Sequence, residues 1–212
     1  MFDWKIVLLL GVLAFVAALN FGEDGLQGEN RFVETDFSQN QDVTWVKYNF
    51  SQTTITQLNY LIHNHLVEDL FYLNMGYNFE RADVALPGFY KFFRHMSEER
   101  RKDGEKIMTY LNRRGGAIKF RRTMKLPDSV WRTGLAAMEA SLGHEKELHK
   151  KILKMHVTAA AAHDPHLTNF LEDEFLEPKV SLIKKLADYV TRLKSFQSDY
   201  SLGEYILDQN LE

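Results

Sequence analysis

Four long stretches of this 212-residue chain carry apolar side chains at alternating spacings of three and four, and each stretch also sets ionisable residues on that same stripe. The first runs Ile55, Leu58, Ile62, His65, Asp69, Tyr72, and the second runs Phe89, Phe93, Met96, Arg100, Asp103, Ile107. The third carries Met138, Leu142, Glu145 and Ile152; the fourth carries Leu176, Lys179, Ile183, Leu186, Val190 and Leu193. Any fold that buries the four apolar seams also buries charges, and those charges need partners.

Local signals place the helix ends. Ser51 is a good N-cap for a first helix reaching about Asn78, and a second runs from about Leu86 to Arg114, where Gly115 and Gly116 stop it. A long connection over 115–128 ends with Pro127 and Asp128, and a third helix is predicted from about Ser129 to Ala162. Asp164 and Pro165 supply an N-cap and a first-turn proline for a fourth helix to about Phe196, followed by a short fifth, Leu202 to Gln209. Two hairpins with short connections, joined by one long loop, predict an all-α four-helix bundle with a crossover between its second and third helices.

With 45% hydrophobic residues and few Gly or Pro, the chain can bury a sizeable single core. A formal charge of -3 with mixed signs offers no basic footprint for nucleic acid, and no internal repeat of about 20–50 residues is present. The start of the chain differs in kind. Ile6 to Leu19 is an uncharged run, IVLLLGVLAFVAAL, of secretory-leader length and too short for a comfortable membrane span. Lys5 gives a weak positive flank, and Val16 and Ala18 are small residues near a cleavage point. The alternative is a retained signal anchor, but no aromatic belt or basic flank follows. The expected organisation is a signal peptide over 1–20, a polar extension over 21–47 and a helical domain over 48–210, with no stable membrane span. Secretion would make Asn49-Phe50-Ser51 a glycosylation sequon. The chain has no cysteine, which leaves the redox compartment open.

Polar groups on four facing seams suit a metal site in a bundle core. Iron takes carboxylate oxygens and imidazole nitrogens, and the di-iron pattern uses a Glu from each of two helices plus Glu-x-x-His on others. Arg100 and Asp103 stand at that spacing, but a guanidinium cannot ligate, and Lys179 adds a second cation. Mutual pairing is the competing expectation: Arg100 and Lys179 find Glu145, Asp103 or Asp69 and fill the volume metal would occupy.

YLNMGYNFERADVALPGFYKFF (72–93), SEERRKDGEKIMTYLNRRGG (97–116), GLAAMEASLGHEKELHKKILKMH (134–156), HDPHLTNFLEDEFLEPKV (163–180) and LGEYILDQ (202–209) together resemble successive blocks of ferritin, in order. The resemblance implies a hollow shell of twenty-four subunits storing ferric mineral, in which heavy-type chains oxidise ferrous iron at a di-iron site. It sets His65 at the first-helix glutamate of that site, keeps its tyrosine as Tyr72, and sets Arg100 at the bridging glutamate and Asp103 at its partner histidine. Glu145 is kept, and Lys179 stands at the fourth-helix glutamine. That pattern is similar to light-type chains, in which a basic residue at the place of Arg100 bridges to the place of Glu145. With a leader it further resembles the secreted ferritins of arthropods, whose light and heavy chains co-assemble.

The same resemblance makes Glu98, Glu99 and Glu105 the mineral-nucleating carboxylates, diluted by Lys102, with Glu145 as the remaining carboxylate of the di-iron set; His95 is a weaker candidate. It places Asn169 and Glu172 at the iron-admitting pore, where one acid of the usual pair is missing and Asp173 and Glu174 stand in reserve. His156, His163 and His166 lie nearby, as surface or capping residues, and Tyr205, Ile206 and Leu207 lie where the last helix packs in the shell. The expected function is a non-catalytic storage subunit, with ferrous and ferric iron and heavy-type chains as partners. Two alternatives stand beside it: an altered ferroxidase using His65, Glu99, Asp103 and Glu145, and a purely structural shell protein.

Overall fold

The computed structural model describes residues 45–120, 130–196 and 198–211. The expected leader lies outside them, as does the extension apart from 45–47. The elements are α1 (Gln52–Glu80), α2 (Pro87–Arg113), α3 (Gly134–Ala161), α4 (Pro165–Leu171), a π-helical turn (Glu172–Leu176), α5 (Glu177–Ser195) and α6 (Tyr200–Asp208). α4, the wide turn and α5 together form the fourth long helix, so the fold is a four-helix bundle with a short fifth helix, all-helical among the described residues.

Helix ends follow the chemistry of the chain. Ser51 caps α1, its Oγ accepting from the Thr54 amide at 3.0 Å. α2 begins at Pro87, whose missing N–H costs nothing in a first turn. It ends in a Schellman arrangement: Gly115 takes φ +76°, and the Gly116 amide donates to the Leu111 carbonyl at 2.9 Å.

Two expectations change. α3 starts at Gly134 rather than near Ser129, because Thr133 is the residue that caps it, its Oγ1 accepting from the Ala136 amide at 3.2 Å. Trp131 is held back from the helix by packing edge-on against Phe71, and its carbonyl accepts from Asn78 Nδ2. The fourth helix is not continuous α. Pro178 cannot donate and crowds the carbonyl four residues back, and the turn before it widens so that the Glu177 amide donates to the Glu172 carbonyl.

α1 packs against α2 and α3, α3 against α5, and α6 against α2 and α5. The interior holds two apolar clusters. One contains Leu58, Ile62, Ile107, Leu148 and Phe175; the other contains Tyr72, Phe93, Met96, Met138 and Leu186. On each helix the residue between the two clusters is a charged or imidazole side chain: His65 on α1, Arg100 and Asp103 on α2, Glu145 on α3, Lys179 on α5. A polar layer therefore crosses the core at one level.

Candidate functional site

Glu145 is the hub of that layer and only 1% exposed. Its Oε1 accepts from the Tyr72 hydroxyl at 2.8 Å, and its Oε2 accepts from Lys179 Nζ at 2.6 Å. Arg100 Nη1 stands 3.6 Å from that second oxygen and 3.3 Å from Asp103 Oδ2. Two cations and a phenol from three other helices thus converge on one carboxylate. Four helices reach one point because each seam contributes its residue at the same height along the bundle.

The electrostatics follow from burial and these contacts. Burial pushes the Glu145 carboxyl up, but Lys179 and Arg100 together outweigh it and hold the group below the ordinary carboxylate range. Burial lowers the Lys179 ammonium in spite of Glu145. Arg100 is pulled down by burial and raised past its usual value by Glu145 and Asp103. Burial also raises Asp103, against the opposing pull of Arg100 and Lys179. Tyr72 is driven well up by burial and by the adjacent Glu145.

His65 is fully buried beside Phe175, with ring centroids 5.6 Å apart, and its Nδ1 lies 3.9 Å from Asp103 Oδ2. Burial, then Lys179 and Arg100, hold its pKa well below the usual value, so the ring is neutral. Neither ring nitrogen has a hydrogen-bond partner among the described protein groups. Asp69, considered as a partner for the buried cations, belongs elsewhere: it accepts from Ser97 Oγ and pairs with Arg101 Nε at 3.0 Å.

The outward carboxylates of α2 differ from one another. Glu98 is exposed, 3.4 Å from Arg94 Nη2. Glu99 is tied to Lys102 at 2.8 Å, and that hydrogen bond holds its carboxyl below the usual range. Its charge is felt by Arg100 and Asp103 in the polar layer, while its hydrogen bond goes outward to Lys102. Glu105 is exposed, on a shallow groove shared with Lys106 and Arg113.

At the start of the fourth helix, Glu172 Oε1 pairs with His156 Nε2 at 2.5 Å. Asn169 Nδ2 donates to Asp173 Oδ2 at 2.8 Å, and Glu174 pairs with Lys106 at 3.0 Å. Both reserve acids are thus engaged. His166 Nδ1 meets the Tyr110 hydroxyl at 3.0 Å, and His163 occupies the left-handed turn after α3 with φ +53°.

Four further residues escaped the sequence reading. Lys106 reaches Asp103 at 3.9 Å as well as Glu174, linking the polar layer to the wide turn. Its position three residues after Asp103 was the available signal. Glu68 is buried and pairs with His144 Nδ1 at 3.0 Å, while the His144 ring stacks on Phe71 at 4.0 Å. No one-helix period pairs residues so far apart in the chain. His149, one turn after Glu145, is lowered by burial and by Lys179.

A family model described as a ferritin-like domain matches residues 55–196. The chain is 41% identical to the soma ferritin of Lymnaea stagnalis over 167 residues, 79% of this chain and 95% of that protein. It is 38% identical to the ferritin light chain of Oryctolagus cuniculus over 165 residues, 77% of this chain and 94% of that protein. The oocyte isoform of the ferritin light chain of Xenopus laevis is 37% identical over 165 residues, covering 77% of this chain and 93% of that protein.

Proposed function

This chain belongs to the ferritin family, and we propose that it is a light-type subunit of an iron-storage shell that binds and stores ferric mineral without oxidising ferrous iron. The observation that carries this reading is the capture of Glu145. Its two oxygens are taken by Lys179 and Tyr72, with Arg100 beside them. A ferrous ion entering there would meet two fixed positive charges in a low-dielectric interior, and it would have to displace a buried ion pair. The similarity to proteins named ferritin light chain supports the same assignment.

In this reading iron is cargo. The chain co-assembles with ferroxidase-competent heavy-type chains into a shell of twenty-four subunits, and Glu98, Glu99 and Glu105 offer carboxylates to the first ferric oxide contacts. Pairing of Glu98 with Arg94 and of Glu99 with Lys102 leaves Glu105 the stronger contributor. Glu172 and Asn169 stand at the entry route, where the single acid, already held by His156, attracts cations less than a full acidic pair. The apolar run over Ile6 to Leu19 supports entry into the secretory pathway, with 48–210 as the assembling domain. At the sequon, the Ser51 hydroxyl is already committed to capping α1.

The deciding experiment follows ferrous oxidation in air by shells of this chain alone, against an iron-only blank. The expected trace matches the blank in its first phase. Rapid, saturable oxidation that disappears in Glu145→Ala would sink the proposal in favour of an altered di-iron site. Nucleation is tested separately with Glu98, Glu99 and Glu105 changed to Ala in preassembled shells supplied with ferric iron. Slower mineral growth is expected; an unchanged rate would leave the chain a structural shell protein.

A further inference from the structure

Away from the polar layer, a cleft of about 450 Å³ opens between the beginning of α1, the segment that follows α2 and the end of α3. Its volume falls within the range of small-molecule sites. Leu61 and Met155, 2% and 3% exposed, line it from the first apolar cluster, and Tyr60 and Phe120 present aromatic surface at its edges. Three lysines also line it, Lys119, Lys151 and Lys154, and among the described residues no carboxylate does. The nearby Glu147 is itself taken by Lys150 at 2.5 Å.

The wall is built rather than fortuitous. Asn59 is buried and binds the segment after α2 twice, donating to the Ala117 carbonyl at 2.9 Å and accepting from the Lys119 amide at 2.6 Å. Lys151 Nζ is held by a neutral partner, Asn64 Oδ1, at 2.6 Å, so its charge is positioned but not neutralised by that contact.

The geometry points to a binding site for a small amphipathic anion, an apolar body with a single carboxylate or sulfonate head. The body sits above the floor of Leu61 and Met155 and removes from water the exposed aromatic surface of Tyr60 and Phe120, 43% and 66% exposed, while the head takes its place among lysine ammonium groups, which suit a compact point charge. Inorganic anions would use only the lysines, and neutral apolar molecules only the floor. Both halves are needed for affinity. This site is separate from the residues assigned to iron and does not depend on that assignment.

The test titrates assembled shells of the full chain with the fluorescent probe anilinonaphthalene sulfonate. Saturable binding near one probe per chain is expected, with displacement by dodecanoate but not by dodecanol or inorganic phosphate at matched concentrations. Changing Lys119, Lys151 and Lys154 to Gln should weaken the probe by on the order of tenfold and remove its salt dependence. Thr56→Trp, at an exposed rim position, should block the cleft while sparing the core. Absence of saturable binding, equal displacement by phosphate or by dodecanol, or unchanged affinity in both variants would each overturn the assignment.

Discussion

At the scale of single residues, Glu145 shows how a buried charge is tolerated. Desolvation alone would favour its neutral form, and the pull of Lys179 and Arg100, helped by the hydrogen bonds from Lys179 and Tyr72, keeps it ionised. Removing that carboxylate leaves two buried cations short of a partner. Glu145→Gln should therefore destabilise the subunit by about 3–5 kcal/mol, read from denaturant midpoints at matched subunit concentration. Adding Lys179→Met, which removes one stranded charge, should recover part of the loss. Acid sensitivity has two limbs. His65 is held neutral with a lowered pKa, so the unfolded chain binds its proton more readily, and stability falls as pH drops below about 6.5. Glu145 has a lowered pKa too, and its contribution is present above about pH 4.3 and lost as pH falls through its folded value. Asp103 is raised and opposes that second limb, contributing most at low pH and losing its contribution as pH rises through its folded value. Unfolding midpoints measured against pH should lose the upper limb in His65→Leu and keep the lower one.

Among the elements, the short last helix and the widened fourth helix reveal the most. α6 is capped by Asp199, whose Oδ1 accepts from the Leu202 amide at 3.0 Å. It docks through Asp208, whose Oδ1 accepts from the Phe89 amide at 2.9 Å. Gly88 makes that approach possible: a Cβ there would lie 1.9 Å from the Asp208 carbonyl oxygen, a contact no side chain tolerates. Gly88→Ala should thus release α6 while α1 and α3 keep their packing. Hydrogen exchange would show this as lost protection over 200–208 and at the Phe89 amide, which loses Asp208 as its acceptor, with α1 and α3 unchanged. The π-helical turn before Pro178 carries Phe175, which packs in the first cluster, and is followed within one turn by Lys179, in the polar layer. The proline's local constraint is absorbed just where the fourth helix has to deliver its cation.

For the molecule as a whole, the charged layer between two apolar clusters accounts for the proposed division of labour. A core interrupted at mid-height by ligating residues would hold metal; the same level filled with Arg100 and Lys179 cross-links the helices instead. Reversing the exchange tests that logic. A variant with His65→Glu, Arg100→Glu, Asp103→His and Lys179→Gln should oxidise ferrous iron faster than the parent, while losing stability in the absence of metal because its carboxylates then repel one another. A variant that folds, assembles and still oxidises iron at the parent's rate would show that filling the polar layer does not set that rate.

Helix number and the crossover order were legible in the four apolar stripes and the one long connection between them, and the stripes put His65, Arg100, Glu145 and Lys179 on inward faces, because a three-four period projects each residue onto a known face. Which charge met which was not legible. Lys179 rather than Arg100 makes the short contact to Glu145, Asp69 turns to Arg101, and Lys106 joins through Glu174, because these choices depend on side-chain reach between helices that are distant in sequence. The start of α3 was likewise decided by tertiary contact, with Trp131 held against Phe71 and Asn78, so that the helix expected from about Ser129 begins only at Gly134. Periodicity determines the face a residue shows; only the packed bundle determines what stands opposite it.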